Sequence, residues 1–362
     1  MISSVKIQNF KVLKELSIEH LHQVTLISGK NNCGKSTLLE AIFFSNFYYH
    51  PNAFLTLNNL RGASSSLMTD VWKSFINVYS TENAFSIQTF DNKIKKVDVR
   101  LESADTVFNS VNNQVNDIDP FGQKTQDKSG ITHQLFVSAT DGEINDSLRF
   151  NVLFDGRIET TSRDQTKSPL RNCILTHYVS SKTGYNQMTL AEMYGRLALD
   201  TEEKNKQIIS ALKIFDPNIV DLKTIVQQGM ARLYAVLSDG HKISVDYMGD
   251  GIFKLLYICI SILANPNSII LIDEIENGFH YSMHKKIWEV IFKTAKESNV
   301  QVIATTHSYE CINGASDAAN NDIDIDFGYV RLENTDPAGI ITAKCIDKEQ
   351  LRSILNSSLE IR

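Results

Sequence analysis

The sequence predicts a mixed α/β fold built around a phosphate-binding loop, with an antiparallel β portion and a helical portion attached. Three observations predict it. The pattern Gly29-x-x-x-x-Gly34-Lys35-Ser36 stands between a strand-like run, Val24 to Ile27, and a helix-like run, Thr37 to Phe44. Two continuous apolar runs late in the chain, within "SIILIDEIENG" and "VQVIATTHS", read as buried parallel strands. Between these ends lie "AFSIQTF", "KKVDVRLE", "HQLFVSAT" and "SLRFNVLFDG", whose period-two alternation suggests an antiparallel sheet.

Residues 1 to about 50 read as two strands, the loop and its helix, with Val5 to Phe10 alternating like a half-buried strand. The flanking strand and helix give the glycine pattern a mechanism. Glycines let the backbone wrap a phosphate, and backbone N–H groups at the helix N-terminus point positive partial charge at it. Lys35 then reaches the β/γ-phosphates as a point charge, and the Ser36 hydroxyl ligates Mg²⁺.

Composition narrows the setting. The 362 residues, 42% of them hydrophobic, suffice for one large domain or two intimate ones. A formal net charge of -6 gives no bulk basic footprint for nucleic acid, although a local basic groove is compatible with it. No apolar run approaches the roughly 18 residues of a membrane span, and the N-terminus leads straight into strand-like alternation without a signal peptide. Cys33, Cys173, Cys259, Cys311 and Cys345 are scattered and never in C-x-x-C spacing, so they read as reduced thiols of a cytoplasmic protein.

In the middle of the chain, Met68 to Tyr79 reads as a helix, and the polar, turn-rich Glu102 to Gly130 as a surface loop. Met188 to Phe215 is helical. Arg232 to Leu237 and Lys242 to Tyr247 form a hairpin over Ser238-Asp239-Gly240. The segment "HYSMHKKIWEVIFKTAKE" is amphipathic at helical period, with Ile287, Val290 and Ile291 on one side. No internal repeats or sustained heptads appear, which argues against a long coiled-coil arm.

A phosphate loop alone leaves kinase, GTPase, helicase and transporter ATPase open. Three later elements narrow it. The strand Ile269 to Ile272 ends in Asp273-Glu274, where the aspartate suits Mg²⁺ and the glutamate can polarise an attacking water. Thr305-Thr306-His307-Ser308 follows the next buried strand, and neighbouring strand ends converge on the phosphate in such sheets. The histidine there can bond the γ-phosphate and report its loss. "YMGDGIFKLL" (Tyr247 to Leu256) opens a second glycine-rich helix, a second anion-binding N-terminus in one chain. One nucleotide needs one such cradle in cis; the second is explained if it serves the nucleotide of a partner subunit, the alternative being a plain glycine-rich helix start.

In this order, with Glu276-Asn277-Gly278-Phe279-His280, these motifs resemble ABC-type ATPases of the OLD/RecF/SMC-like branch, closest to the stand-alone AAA15-type ATPases of bacterial antiphage systems. "LRGASS" after the loop helix and the ending "SLEIR" are similar to that group, and the likeness is weakest from about 80 to 170. The resemblance implies a single P-loop ABC-type head over 1–362, with 1–50 and about 171–345 as nucleotide-binding core and about 51–170 as a helical and antiparallel β insertion. It implies that Gly29, Asn31, Gly34, Lys35, Ser36 and Thr37 hold ATP, Lys11 contacts nucleotide, Ser36 and Asp273 serve Mg²⁺, Glu274 is the general base and His307 the switch. Gly249, Asp250 and Gly251 would be the signature presented in trans, with Asn277 and His280 in the D-loop. The implied assembly is an ATP-sandwich homodimer or higher oligomer that controls a separately encoded effector, a nuclease or toxin, in antiviral defence. A DNA-transaction ATPase similar to RecF is the alternative, and a transporter ATPase a weaker one. Gly249 replaces the family's signature serine, Asn32 replaces a loop glycine, and Gln187 is a weak candidate for the Q-loop.

Five further features have blander readings. Asp322, Asp324 and Asp326 would share a face if "NDIDIDFGY" were a strand; related nucleases carry an Asp-x-Asp metal motif in a Toprim domain, for which too little chain follows His307 here. His280 and His284 have metal spacing but no third ligand. Lys285, Lys286, Lys293 and Lys296 read as a solvated helix face, and Trp288 as core. Lys254, on the signature helix, could approach a phosphate, but that is the lesser reading of it.

Overall fold

The computed structural model describes residues 1–50, 52–62, 72–77, 82–103, 131–142, 144–153, 158–160, 173–181, 187–200, 202–227, 229–321, 324–334 and 340–357. Three strands, not two, precede or enter the phosphate loop: β1 (Ser4–Phe10), β2 (Leu13–Ile18) and β3 (Val24–Gly29). The middle strand was hidden because Lys14 and Glu15 sit side by side and break its alternation; Leu13, Leu16 and Ile18 are nonetheless buried. Then follow α1 (Lys35–Phe47), α2 (Ala53–Leu60) and five strands, β4 (Ala84–Phe90), β5 (Ile94–Ser103), β6 (Ile131–Asp141), β7 (Ile144–Leu153) and β8 (Ile158–Thr160).

The antiparallel sheet expected from the alternating runs is present, in the order β2-β1-β4-β5-β6-β7-β8. It begins at the N-terminus, because β1 pairs with β4 through Ile7 opposite Ile87. Thus β1 and β2, placed by sequence in the nucleotide core, are strands of the sheet that the following segment completes. The helix expected over Met68 to Tyr79 is, in its described part, a single 3-10 turn, Trp72–Phe75. Its backbone is claimed by the β1–β2 turn: Lys11 N donates to Phe75 O (3.0 Å) and Asn77 N to Asn9 O (2.8 Å). Most of the loop expected over Glu102 to Gly130, and the ending "SLEIR", lie outside the described residues.

The second half contains β9 (Thr176–Val179), α3 (Gln187–Asp200), α4 (Glu202–Leu212), β10 (Ile219–Gln227), β11 (Met230–Leu237), β12 (Lys242–Ser244) and α5 (Asp250–Ala264). It ends with β13 (Ile269–Ile272), α6 (His284–Glu297), β14 (Gln301–Thr305), α7 (Tyr309–Asn321), β15 (Phe327–Asn334), β16 (Ile341–Asp347) and α8 (Lys348–Asn356). The expected hairpin is β11–β12, but its second strand stops at Ser244 and Val245–Tyr247 is a 3-10 turn. No helix among the described residues exceeds the 15 residues of α5, and none is long and apolar enough to cross a membrane.

The nucleotide sheet runs β16-β15-β3-β14-β13-β9, parallel except for β16. Helix α1 lies between the two large sheets. Its residues from Thr37 to Asn46 are all buried, which is why its sequence is apolar all round rather than striped. Leu38 and Ile42 join Ile7, Ile87 and Val97 from one sheet and Ile269, Leu271 and Ile303 from the other in one apolar cluster. Each such fully buried aliphatic side chain stabilises by about 1.5–3 kcal/mol, so packing rather than capping holds this helix. Trp288, on α6, is buried in the cluster on the opposite face, as expected.

Asp324 and Asp326 precede β15 rather than lying in it, so these two share no strand face; Asp322 lies outside the described residues. Asp326 instead pins the start of β3: its carboxylate meets His22 Nδ1 (2.6 Å) and accepts from Gln23 N (2.8 Å). The Asp326 hydrogen bond is the largest cause raising the His22 pKa, with burial opposing it. A raised folded-state pKa stabilises fully below the unfolded value of about 6.5 and is lost as pH rises through the folded value. Urea midpoints measured from pH 6 to 8 should therefore fall more steeply for the native protein than for His22→Gln. Superimposable profiles would remove this pair from the stability balance.

Candidate nucleotide-phosphate site

The loop between β3 and α1 closes a cleft of about 430 Å³, lined by Val12, Asn31, Asn32, Gly34, Lys35, Ser36, Thr37, Glu40, Arg61, Tyr178, Asp273 and Glu274. Gly29, at its root, is held against β15: a Cβ there would stand 2.4 Å from the Leu332 carbonyl oxygen, a backbone atom that cannot yield. Gly34 caps α1 in the left-handed region (φ 82), with no side chain bonded to the first-turn N–H groups. These donors and the helix dipole therefore face the cleft. Asn32 has φ 64, a conformation that asparagine adopts more readily than other side-chain-bearing residues. Lys35 Nζ bridges the loop carbonyls of Gly29 (2.7 Å) and Lys30 (3.1 Å).

Residues far apart in sequence meet at the cleft's inner wall. Ser36 Oγ donates to Asp273 Oδ1 at 2.9 Å, and Thr305 Oγ1, at the end of β14, donates to the same oxygen at 2.7 Å. Glu274 N in turn donates to Thr305 Oγ1 (2.9 Å), so one threonine aligns both acids. Burial raises the Asp273 pKa, the Thr305 and Ser36 hydrogen bonds oppose this, and Glu274 and Glu40 raise it further. A hydroxyl beside a buried carboxylate rich in negative neighbours is a donor set that fits Mg²⁺, which takes one or two protein oxygens plus phosphates and water.

Glu274 has φ 48, in the left-handed region, and its Oε2 accepts from Asn277 Nδ2 (2.7 Å). His307 does not line the cleft. Its Nδ1 is 2.8 Å from Glu276 Oε1, and its backbone N donates to the same oxygen at 2.8 Å. Gly249, Asp250 and Gly251, at the start of α5, do not line this cleft, and Gly249 and Asp250 are exposed. Asn277, Gly278 and His280 are exposed beside them in the chain's next turn. His280 caps the turn Tyr281–Met283, and its ring bonds Ser282. His284 is buried, and no metal cluster forms among the described residues. Lys285, Lys286, Lys293 and Lys296 are exposed on α6.

Residues 24–313 match the family model described as "AAA domain, putative AbiEii toxin, Type IV TA system". The chain belongs to this family. It is also 27% identical over 342 residues to a Helicobacter pylori protein named ATP/GTP phosphatase, covering 86% of each. Among solved structures, it resembles an SMC head bound to the C-winged helix domain of ScpA, at TM-score 0.54 and 13% identity over 96% of this chain and 98% of that one. A Pyrococcus furiosus SMC head with an extended coiled coil, bound to the C-terminal domain of ScpA, gives TM-score 0.53 at 12% identity over 98% of both. The fold is thus that of a P-loop ABC-type head, as the motif order implied.

Within this family member, three side chains weighed for the nucleotide site take other partners. Lys11 does not line the cleft: its ammonium is buried and paired with Glu40 Oε2 at 2.8 Å, while its neighbour Val12 faces the cleft. Lys254 Nζ is bonded to the carbonyls of Glu274 and Asn277, and Lys254 does not line the cleft. Gln187 bonds Ser244 Oγ (3.2 Å), and Ser181, just past β9, approaches Asp273 Oδ2 instead (3.4 Å).

Sequence reasoning missed Arg61, Glu40, Tyr178, Thr305 and Glu276. Arg61 lines the cleft together with Lys35; its signal was its place in "LRGASS" soon after the loop helix. Glu40 holds it twice, at 2.5 and 2.9 Å, and Arg61 Nη2 also donates to Thr37 Oγ1 (3.1 Å). Glu40 is 1% exposed and is shared by Lys11 and Arg61. Burial lowers the Lys11 pKa and the Glu40 charge opposes that. Glu40→Gln strands this buried ammonium, and urea unfolding should report a loss of about 3 kcal/mol. A change below about 0.5 kcal/mol would mean that Lys11 simply re-solvates.

Proposed function

We propose that this chain is an ATP-binding and ATP-hydrolysing head that closes as an ATP-sandwich dimer and controls a separately encoded effector, a nuclease or toxin, in bacterial antiviral defence. One observation carries the dimer. The phosphate loop and the Asp273-Glu274 strand end meet in cis, while the signature residues Gly249 to Gly251 open a helix whose start does not line their own cleft. A symmetric pair would bring each exposed signature to the other's cleft and bury two nucleotides.

In this reading Lys35 and the α1 N-terminus hold the triphosphate. Ser36 and Asp273 would hold Mg²⁺, which when bound neutralises phosphate charge. Glu274 accepts the proton of the attacking water, and Asn277 and Thr305 fix its position. His307, oriented by Glu276, senses the γ-phosphate from the strand end. Loss of that phosphate removes the contacts that favour the closed pair. The name of the Helicobacter pylori relative supports hydrolysis, and the toxin–antitoxin wording of the family description supports a defence setting. We assign the effector chemistry to another chain, because the site assembled here is devoted to nucleotide.

The decisive experiment is mass by light scattering on Glu274→Gln with and without ATP and Mg²⁺, alone and copurified with its neighbouring gene product. Doubling with ATP supports the sandwich. A mass unmoved by ATP breaks the two-head mechanism. Strong, salt-dependent stimulation of turnover by DNA would favour the DNA-transaction alternative instead.

A further inference from the structure

The turn from Asp273 to His280 is wrapped around a single buried cation. Lys254, one turn into the signature helix α5, is 3% exposed. Its Nζ donates to the carbonyl of Glu274 at 2.7 Å and to that of Asn277 at 3.1 Å, and stands 5.7 Å from the Phe279 ring centroid. Glu276, in the same turn, turns one oxygen to His307 and buries the other, Oε2, without a hydrogen-bond partner among the described residues.

The helix and the turn also touch directly. A Cβ on Gly251 would lie 2.6 Å from the Gly278 carbonyl oxygen, so the signature glycine is also what lets α5 seat against this turn. Burial depresses Lys254 to about 8, and Glu276, Cys311, Glu274 and Asp273 pull it back up; His284 also faces it. An ammonium is kept here at a desolvation cost that an apolar residue would avoid. What it gains is a grip on Glu274, whose left-handed backbone at φ 48 needs outside support.

We infer that Lys254 is a positioning residue that ties the signature helix to the backbone of Glu274 and the D-loop, so that a phosphate engaged by the signature in one site adjusts the general base of the other. This rests on the reading of Glu274 as base and of the signature as acting in trans. The two carbonyls are held by one ammonium, on the element that in this reading meets the partner's nucleotide. Movement of α5 therefore reaches Glu274 and Asn277 without passing through its own phosphate loop. Asn277 carries the effect to the carboxylate itself, through its bond to Glu274 Oε2.

Two measurements on the full chain test this, with Lys254→Met and Lys254→Arg. Hydrogen exchange in peptides covering residues 273–283 should be about tenfold faster in Lys254→Met, and closer to native in Lys254→Arg, whose fork can span both carbonyls. Turnover should fall about a hundredfold in Lys254→Met with ATP affinity within about twofold of native, and Lys254→Arg should recover most of it. Unchanged exchange in both variants overturns the grip, whatever the turnover does. Faster exchange with native turnover overturns the coupling to the base. Loss of ATP affinity in parallel with turnover also overturns it, since that marks general damage. Failure of the underlying reading looks different: Glu274→Gln would then hydrolyse ATP at the native rate.

Discussion

Replacing Glu274 by glutamine is expected to lower ATP turnover by about a hundred- to ten-thousandfold, the usual contribution of a positioned general base, while ATP still binds. The substitution keeps the shape and can keep an oxygen for Asn277 Nδ2, which now donates to Glu274 Oε2 at 2.7 Å. It removes the proton acceptor and leaves the phosphate loop untouched. Phosphate release assayed under saturating ATP and Mg²⁺ reads the first effect, and calorimetric titration the second. A variant that turns over within twofold of native would take Glu274 out of this role and point to another acceptor in the cleft.

The second large effect is on binding. Lys35→Ala should weaken ATP by about 10- to 100-fold, the value of one or two charge-assisted hydrogen bonds to phosphate. Lys35 is positioned for this by the loop itself, since its ammonium lies on the carbonyls of Gly29 and Lys30. The variant should unfold near the native midpoint, because α1 is held by the burial of Leu38, Leu39, Ile42 and Phe44 and not by that ammonium. A dissociation constant unmoved by the substitution would be incompatible with the phosphate-loop assignment. The two variants separate binding from chemistry: one should hold ATP without cleaving it, the other should fail to hold it.

The residues that could be read in advance share a property. Each sits in a local pattern whose geometry follows from its neighbours in sequence. The glycine spacing before Thr37, the apolar run ending at Asp273-Glu274, and Thr306-His307 after the next run are such patterns, and the structure sets β3, β14 and β13 side by side in parallel. The alternation of "AFSIQTF" and "KKVDVRLE" likewise announced β4 and β5. Where local pattern was weak, reading failed. The adjacent Lys14 and Glu15 concealed β2, and the apolar content of Trp72 to Ile76 suggested a helix where the chain makes one turn and a bridge to Phe10.

What the sequence determined by itself is therefore the list of chemical parts and their order: a phosphate loop, a second glycine-opened helix, an acidic strand end and a histidine beyond the next strand. The tertiary structure decided which charges pair. Lys11 could have faced a nucleotide, but packing of the antiparallel sheet on α1 sets it against Glu40, which also turns Arg61 to the cleft. Lys254 could have met a phosphate, but α5 seats on the turn after β13 and delivers the ammonium to two carbonyls. Ser181 rather than Gln187 reaches Asp273 because β9 ends beside β13. The physical reason is the same in each case. A buried charge or polar group takes the partner that packing brings within about 3 Å, and partners such as Ser36 and Asp273, separated by 237 positions, are set by how sheets and helices stack and not by any spacing along the chain.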